Sequence, residues 1–569
     1  MITDRLKTLA PFAWFLPGFL LWAAYPPMGE RADVLFALAP LMWLARREPV
    51  AATVAKRWFQ SGAFYWVATL SWMPAIVKNG GPWPLVALGW FALAAYCAAY
   101  FAVCGYLSAR YWSFARARGG YGWRLFGVLL VEPVLWCGLE LVRSRLGGGF
   151  AWNQLGVVPA NSGFAGPAAF GGVYLLSAVV ILVNGTIAGI AERMWKPERS
   201  GFAGLRRLGF VETVSVFAIV WGLYSVDGRR RPPPAAAPDV GEPSFKVAMI
   251  QRNFPCVFKQ QEENPYVVYE RLLGHVAALK PDLVVLSESA MCEFGPVDQQ
   301  GAVRFAEWLH EKTGAALLAG GTRHEEGLTY NSAALYQWDR TVQPPVGPRQ
   351  PSAADDGPRQ PSLAVRFYDK VHLVPFGEFI PGDKWFPALQ KLAPVGSCTP
   401  GTLTLLDLVA RPASRIPLGV AICFEDTDSA QMRELARQGA KILVFITNDS
   451  WFSHSVEPEQ HAWQAVARAV ETGLPVVRVG NSGVTGTISP DGRATWLVGA
   501  GGRAMVDAQG TMLDRVTLGE ADRASAILPR TAYVVLGDWP LGIIFALLMM
   551  GMIVVKYRNC HEKRRRMPV

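Results

Sequence analysis

The chain has 569 residues, 51% hydrophobic and only 18% charged, with 21 tryptophans and a formal net charge of +10. So little charge at this length excludes a wholly soluble protein. The basic surplus does not point to nucleic acid, because it sits in short segments beside apolar spans, where membrane topology accounts for it.

A spanning helix needs about 20 mostly apolar residues, since the hydrocarbon core is about 30 Å thick and a helix rises about 1.5 Å per residue. In chain order the candidates are 9–25, 33–45, 58–77, 83–109, 123–142, 168–190 and 208–226, with an eighth at 533–555. The second is short enough to be re-entrant or tilted. The first ends in Trp22-Ala23-Ala24-Tyr25-Pro26-Pro27, which lacks the small-x-small site of a cleaved signal peptide, so it is read as a helix.

Lys and Arg alternate along these spans. They gather at Arg5 and Lys7, at Arg46, Arg47, Lys56 and Arg57, and at Arg110, Arg116, Arg118 and Arg124. The next set is Arg193, Lys196, Arg199, Arg206 and Arg207, and the last is Lys556, Arg558 and the run from Lys563 to Arg566. The intervening turns hold little beyond Arg31, Lys78, Arg143 and Arg145. This pattern predicts two cytoplasmic termini and a middle domain on the opposite side. Arg229, Arg230 and Arg231 run against it, but they precede a long translocated domain, where the rule is weak.

The expected organisation is a seven-span membrane region (1–227), a linker (228–243), a globular domain (244–530), a C-terminal span (531–557) and a basic tail (558–569). The Pro/Ala-rich stretch 232–243 reads as an extended tether. A second stretch, 341–363, contains Gly-Pro-Arg-Gln-Pro-Ser at 347–352 and again at 357–362, a composition that builds no core and reads as a surface insertion.

In the middle domain short apolar runs alternate with amphipathic stretches. Strands are expected at 246–251, 283–287, 315–319, 332–337, 365–368, 418–423 and 442–448, and helices at 271–279, 302–312, 429–438 and 459–472. This is an α/β pattern of layered sheets and helices. Three polar residues fall at strand ends, where such folds place chemistry: Glu288 after Leu-Val-Val-Leu-Ser, Lys370 after Val-Arg-Phe-Tyr-Asp, and Cys423 after Val-Ala-Ile. A carboxylate, an amine and a thiol supply a base, a cation and a nucleophile, a set suited to acyl transfer through a thioester. Taken singly, the cysteine reads as a small core residue and the two charges as surface groups. Their combination carries the functional reading.

The segments Leu-Ser-Glu288-Ser, Tyr-Asp-Lys370-Val-His-Leu-Val-Pro-Phe-Gly-Glu378 and Ile-Cys423-Phe-Glu425-Asp resemble the signature segments of the nitrilase (carbon–nitrogen hydrolase) superfamily. Asn448-Asp-Ser-Trp451-Phe452 and Asn481-Ser-Gly483-Val-Thr resemble its later segments. Leu-Ser-Glu-Ser departs from the commoner Pro-Glu-Thr context of the glutamate. With spans on both sides, the whole chain resembles the apolipoprotein N-acyltransferase family. That resemblance implies an αββα domain on the periplasmic face of a bacterial inner membrane. It implies a two-step reaction in which Cys423 takes an acyl chain from a phospholipid and passes it to the amine of a diacylglyceryl-cysteine apolipoprotein. Glu288 would be general base and acid, Lys370 and the Phe424 N–H would hold the oxyanion, and Glu378 would orient Lys370 or assist proton transfer. Glu425 has two readings, a group serving the nucleophile or a carboxylate at a helix start. No metal or cofactor is implied, and His372, His454 and His461 lack ligand spacing.

Other residues carry less. The aromatic-rich loop 375–392, with Phe376, Phe379, Trp385 and Phe386, reads as a lid or bilayer-contacting arm, or as ordinary packing. Cys97, Cys104 and Cys137 lie in spans and Cys560 in the basic tail, while Cys256, Cys292 and Cys398 would face an oxidising compartment without a deducible pairing. Two rival functions remain at this point: a membrane-tethered amidase that releases acyl groups to water, and a non-catalytic transporter or receptor. The latter predicts a broken triad or charge buried in the spans, with Glu132 and Glu140 the carboxylates to watch.

Overall fold

The computed structural model describes residues 12–195, 213–222, 225, 244–255, 263–274, 276–339, 362–382, 397–410, 414–499, 501–518 and 531–565. The stretch 232–243, the insertion at 341–361, Cys256, Trp385 and Phe386 lie outside the described residues. The chain divides into two units. One comprises Met1–Val77, Pro82–Pro232 and Thr531–Val569, and the other Lys78–Gly81 and Pro233–Arg530.

Among the described residues of the first unit four helices are long and apolar enough to cross a membrane: Trp83–Arg118, Tyr121–Arg143, Ala168–Met194 and Trp539–Tyr557. Shorter apolar helices, Ala13–Ala23 and Thr213–Gly222, fall on the first and seventh sequence candidates. The second candidate is not one helix. A 3-10 turn, Arg31–Leu35, precedes a helix Ala39–Arg47 that carries Pro40 in its first turn, because proline is tolerated there and not in a helix interior. The third candidate begins earlier than expected, as Ala51–Thr69, with Lys56 and Arg57 inside the helix. The last is divided at Gly537, whose φ of 58° ends one short helix before Trp539 starts the long one.

Charge is buried in this unit. Arg46 and Glu132 form a bidentate pair at 2.6 and 3.2 Å, with Trp112 Nε1 donating to the same carboxylate at 2.9 Å. Glu140 accepts from Trp136 Nε1 and from the Leu155 N–H, both at 2.9 Å. Arg143 donates to the carbonyls of Phe150 and Trp152, each at 2.9 Å. Buried charge was expected of a transporter-like chain, and here it is matched by partners within the unit.

The second unit is built on two six-stranded sheets. The strands are β1 (Ser244–Gln251), β2 (Leu283–Leu286), β3 (Ala316–Glu325), β4 (Leu328–Asp339), β5 (Ser362–Asp369), β6 (Leu406–Ala410), β7 (Ser414–Ile422), β8 (Ile442–Thr447), β9 (Val476–Gly480), β10 (Gly486–Ile488), β11 (Ala494–Trp496) and β12 (Gly510–Thr517). One sheet has the order β12-β1-β2-β3-β4-β5 and the other β11-β10-β9-β8-β7-β6. The central pairs β1–β2–β3 and β7–β8–β9 are parallel.

Alternate residues of both sheets meet in one dry core that includes Val247, Val285, Leu318, Val420, Val444 and Val479. The opposite face of the first sheet packs on helices α1 (Pro265–Leu273) and α2 (Gln300–Thr313). The second packs on α3 (Ser429–Arg437) and α4 (Glu457–Thr472). The result is the αββα sandwich the resemblance implied. The helix expected at 271–279 sits earlier, because Asn264 caps the chain at Tyr266 N and Pro265 occupies the first turn, while Gly274 ends it.

Candidate active site

Both sheets deliver polar residues from the C-terminal ends of parallel or neighbouring strands. Glu288 follows β2, Lys370 follows β5, Cys423 follows β7, and Asn448 and Asp449 follow β8. Glu288 and Lys370 therefore come from one sheet and Cys423 from the other. Gly320 on β3 makes room for the first of these, since a Cβ there would lie 2.7 Å from Glu288 Cα.

Lys370 is 1% exposed and lies between two carboxylates, 3.0 Å from Glu378 Oε1 and 3.8 Å from Glu288 Oε1. Asn331 of β4 joins the same two groups from another side. Its Nδ2 donates to Glu288 Oε1 at 2.8 Å and also to Glu378 Oε1. Glu378 is further held by the Val374 N–H at 2.7 Å. Glu378 is thereby fixed in contact with the lysine amine.

Cys423 sits at φ +55°, at the sharp junction of β7 and a 3-10 turn, Cys423–Thr427. A non-glycine residue in that region costs about 1–3 kcal/mol and persists only where its surroundings over-determine it. Glu425 supplies part of that constraint. Its Oε2 accepts from Ile422 N at 2.8 Å, and its Oε1 from Val371 N at 2.8 Å and His372 N at 3.0 Å, with Tyr368 Oη 3.0 Å from both oxygens. One buried carboxylate therefore ties the turn that carries Cys423 to the loop that follows Lys370. Phe424 follows the cysteine in the turn, with the His372 ring edge-on 6.2 Å from its own.

The electrostatics sharpen the roles. Burial raises the Glu288 carboxyl above its ordinary value; Lys370 and Asn331 oppose that, and Glu378 adds to it. Burial works against charging Lys370, but Glu378 and Glu288 outweigh it and hold the amine above the usual lysine value. Burial also pushes the Cys423 thiol well up, Glu288 adds to this, and Lys370 counters without winning. The cation beside the cysteine therefore does not leave a free thiolate at rest. Any reaction of this thiol requires removal of its proton, and the Glu288 carboxyl nearby has a raised proton affinity.

Asn331 was missed in the sequence, and Tyr368 and Asp449 lie in segments named there without a role of their own. Asparagine is a poor strand residue, so Asn331 within an otherwise β-forming run was the available signal. Cys292 and Cys398 are free thiols. Burial and the nearby Glu378 push Cys398 up to about 11. Phe376, in the loop after Lys370, is 65% exposed at φ +62°. Asp449, Glu457 and His461 converge within 4.8 Å, yet both His461 nitrogens already meet carboxylates and Arg478 neutralises the acids, so the group is a closed ion cluster.

The two-sheet αββα fold is that of a carbon–nitrogen hydrolase-type enzyme, and the family profile described as "Carbon-nitrogen hydrolase" matches residues 247–527. A second profile, "Apolipoprotein N-acyltransferase N-terminal domain", matches residues 17–186. The Geobacter metallireducens protein named apolipoprotein N-acyltransferase is 31% identical over 491 residues, covering 84% of each chain. The Photobacterium profundum protein of the same name is 27% identical across 96% of this chain and 97% of its own. Among solved structures, an amidase from Nesterenkonia sp. AN1 aligns at 15% identity and a TM-score of 0.33, covering 50% of this chain and 94% of that one. The chain belongs to the apolipoprotein N-acyltransferase family.

Proposed function

We propose that this family member moves an acyl chain from a membrane phospholipid to the N-terminal amine of diacylglyceryl-cysteine apolipoproteins, through a thioester on Cys423. The observation that carries the reading is Lys370 set between Glu288 and Glu378, with Cys423 brought to the same place from the facing sheet. In the first half-reaction Glu288 takes the thiol proton as sulfur attacks the ester carbonyl. Lys370 and the Phe424 N–H hold the oxyanion, and the proton passes to the departing glycerol oxygen, releasing a lysophospholipid. In the second, the acceptor amine attacks the thioester and gives its proton to Glu288. The amide forms and the Cys423 thiol is restored.

The placement of the reaction follows from the same reading. The apolar helices anchor the chain, and the alternating Lys/Arg pattern supports eight spans in a bacterial inner membrane with 244–530 on the periplasmic side. Seven spans in 1–227, a linker at 228–243, the last span at 531–557 and a tail at 558–569 complete the arrangement. Phe376, exposed near the lysine, fits a loop that meets lipid.

Full-length protein given acyl-labelled phospholipid and no acceptor is expected to gain one acyl group on Cys423 by mass spectrometry. A diacylated lipopeptide should then discharge it as an amide. Label released only to water would favour the amidase reading, and label on another residue would defeat the thioester.

A further inference from the structure

A second ionic assembly lies behind the nucleophile and has no part in the chemistry above. Asp426 is three residues beyond Cys423, Asp449 follows β8, Glu457 and His461 are on α4, and Arg478 is on β9. All are buried, Asp426 and Arg478 completely. His461 Nε2 lies 3.0 Å from Asp426 Oδ1, and its Nδ1 lies 3.0 Å from Asp449 Oδ1 and 3.4 Å from Glu457 Oε1. Arg478 contacts the remaining oxygens, 2.9 Å to Asp426 Oδ2 and 3.3 Å to Asp449 Oδ2. Asp426, His461, Asp449 and Arg478 thus close a four-membered ring. Gly483 is fitted to it, since any Cβ there would run into Asp449 Oδ2.

We propose that His461 is a positioning residue for Cys423, locking the nucleophile turn through Asp426 to the Asp449–Phe452 turn through Asp449. The need for such a lock is visible in the backbone. Cys423 holds φ +55° at the end of β7, and the next residues are pinned one after another. Glu425 goes to the lysine loop, Asp426 goes to the ring, and the Thr427 carbonyl accepts from Arg468 Nη1 at 2.8 Å. The ring reaches across to the neighbouring strand end, where Trp451 is 41% exposed.

Charge supports the assignment. Burial disfavours a charged His461, but Asp426 and Asp449 hold its pKa up at about 10. Burial resists ionising Asp449, and His461 and Arg478 nevertheless hold it below its ordinary value. Burial and Asp449 push Glu457 well above the carboxylate range. His461 and Arg478 thus each face both Asp426 and Asp449, with Glu457 beside the ring. Replacing His461 by a neutral side chain would leave two buried acids sharing Arg478 and would free the turn to shift.

The inference rests on Cys423 being the nucleophile, so the test carries Cys423→Ser as a parallel arm. Full-length His461→Gln and Asp449→Asn proteins would be assayed with labelled phospholipid and a diacylated lipopeptide, measuring kcat, KM and the rate of Cys423 acylation. We expect kcat and the acylation rate to fall about tenfold or more together, with KM for phospholipid within about twofold, in whichever variant folds. A kcat within twofold of the parent in a folded variant overturns the proposal, as does a loss expressed in KM. Failure of both variants to accumulate as folded protein also overturns it, because the cluster would then be a folding element only. An active Cys423→Ser protein sinks the nucleophile reading instead, and an inactive one beside a full-rate His461→Gln protein sinks this inference alone.

Discussion

The two units bury charge in opposite ways. In the membrane unit Arg46 faces Glu132 in a single bidentate pair, and Glu140 and Arg143 are absorbed by neighbouring N–H and C=O groups. Trp112 Nε1 also donates to Glu132, so that each carboxylate is met by donors from its own unit. In the other unit Lys370 is shared by Glu288 and Glu378, Asn331 is shared by the same two, and the Cys423 thiol is forced up by burial and by the base beside it. Matched pairs hold a structure still. Around Lys370 the raised Glu288 carboxyl and Cys423 thiol compete for a proton, as the proposed acyl transfer requires.

The largest effects should come from breaking the shared set. Cys423→Ser replaces the thiol by a far less acidic hydroxyl, and Glu288→Gln removes the proton acceptor at constant size. Lys370→Met removes the cation, and loss of one oxyanion donor in other enzymes costs on the order of 10²–10³ in rate. All three should reach the membrane folded and show no acyl adduct at position 423. Accumulation of adduct in any one of them would reassign that residue's role.

The matched pair should behave differently. Arg46→Met leaves Glu132 buried without its partner, which typically costs about 3–5 kcal/mol, and should reduce the yield of folded protein. The double variant Arg46→Met/Glu132→Leu removes both charges and is expected to recover most of that yield and near-parental acylation. No comparable double substitution should rescue Lys370 and Glu288. Recovery in both units would erase the distinction drawn here, and thermal unfolding in detergent alongside the acylation assay would show it.

Asn331 tests the proton itself. Its donation favours the Glu288 carboxylate, so Asn331→Leu should raise the Glu288 pKa further. A raised carboxyl is in its base form above its pKa and loses that form as pH falls through it. The acid limb of kcat/KM in the parent should therefore lie above an ordinary carboxylate, near 4.3 in model peptides, and the variant's limb should lie higher still. A hydrogen bond to a charged group is worth about 1.5–3 kcal/mol, which is about tenfold or more in rate at a pH on that limb. Unchanged limbs would make Asn331 a packing residue.

How much of this was legible depends on which forces set each element. Cys423, Glu288 and Lys370 could be read because each ends an apolar run, and strand ends are local features. β9 was not read, because Arg478 interrupts Val-Val-Arg-Val-Gly and its partners Asp426 and Asp449 are remote in sequence. The same holds for Asn331 and Tyr368, whose roles exist only once two sheets face each other. His461 was set aside for want of ligand spacing, and its place beside Asp426 needed the fold. In the membrane unit hydropathy marked the long helices but not their interruptions at Pro40 and Gly537, which are backbone effects.

The smallest effect is expected at the repeat-bearing insertion. β4 and β5 pair antiparallel from Ser332↔Asp369 out to Asp339↔Ser362, so the segment 340–361 leaves and re-enters at adjacent chain positions. Such ends can be joined by a turn of a few residues without disturbing register. Ser362 belongs to β5, so a deletion must stop short of it; removing 345–358 keeps the hairpin intact. Loop closure changes by only about 0.6 kcal/mol per doubling of length, so shortening this loop by somewhat more than half should stabilise the protein by at most about 1 kcal/mol. Lys370 follows Asp369, at the opposite end of β5 from Ser362. Acylation of a diacylated lipopeptide should therefore stay within about twofold of the parent. A large loss of kcat in a deletion protein that unfolds at the parental temperature would mean that the repeats meet the lipoprotein, and the insertion would join the substrate-contacting surface.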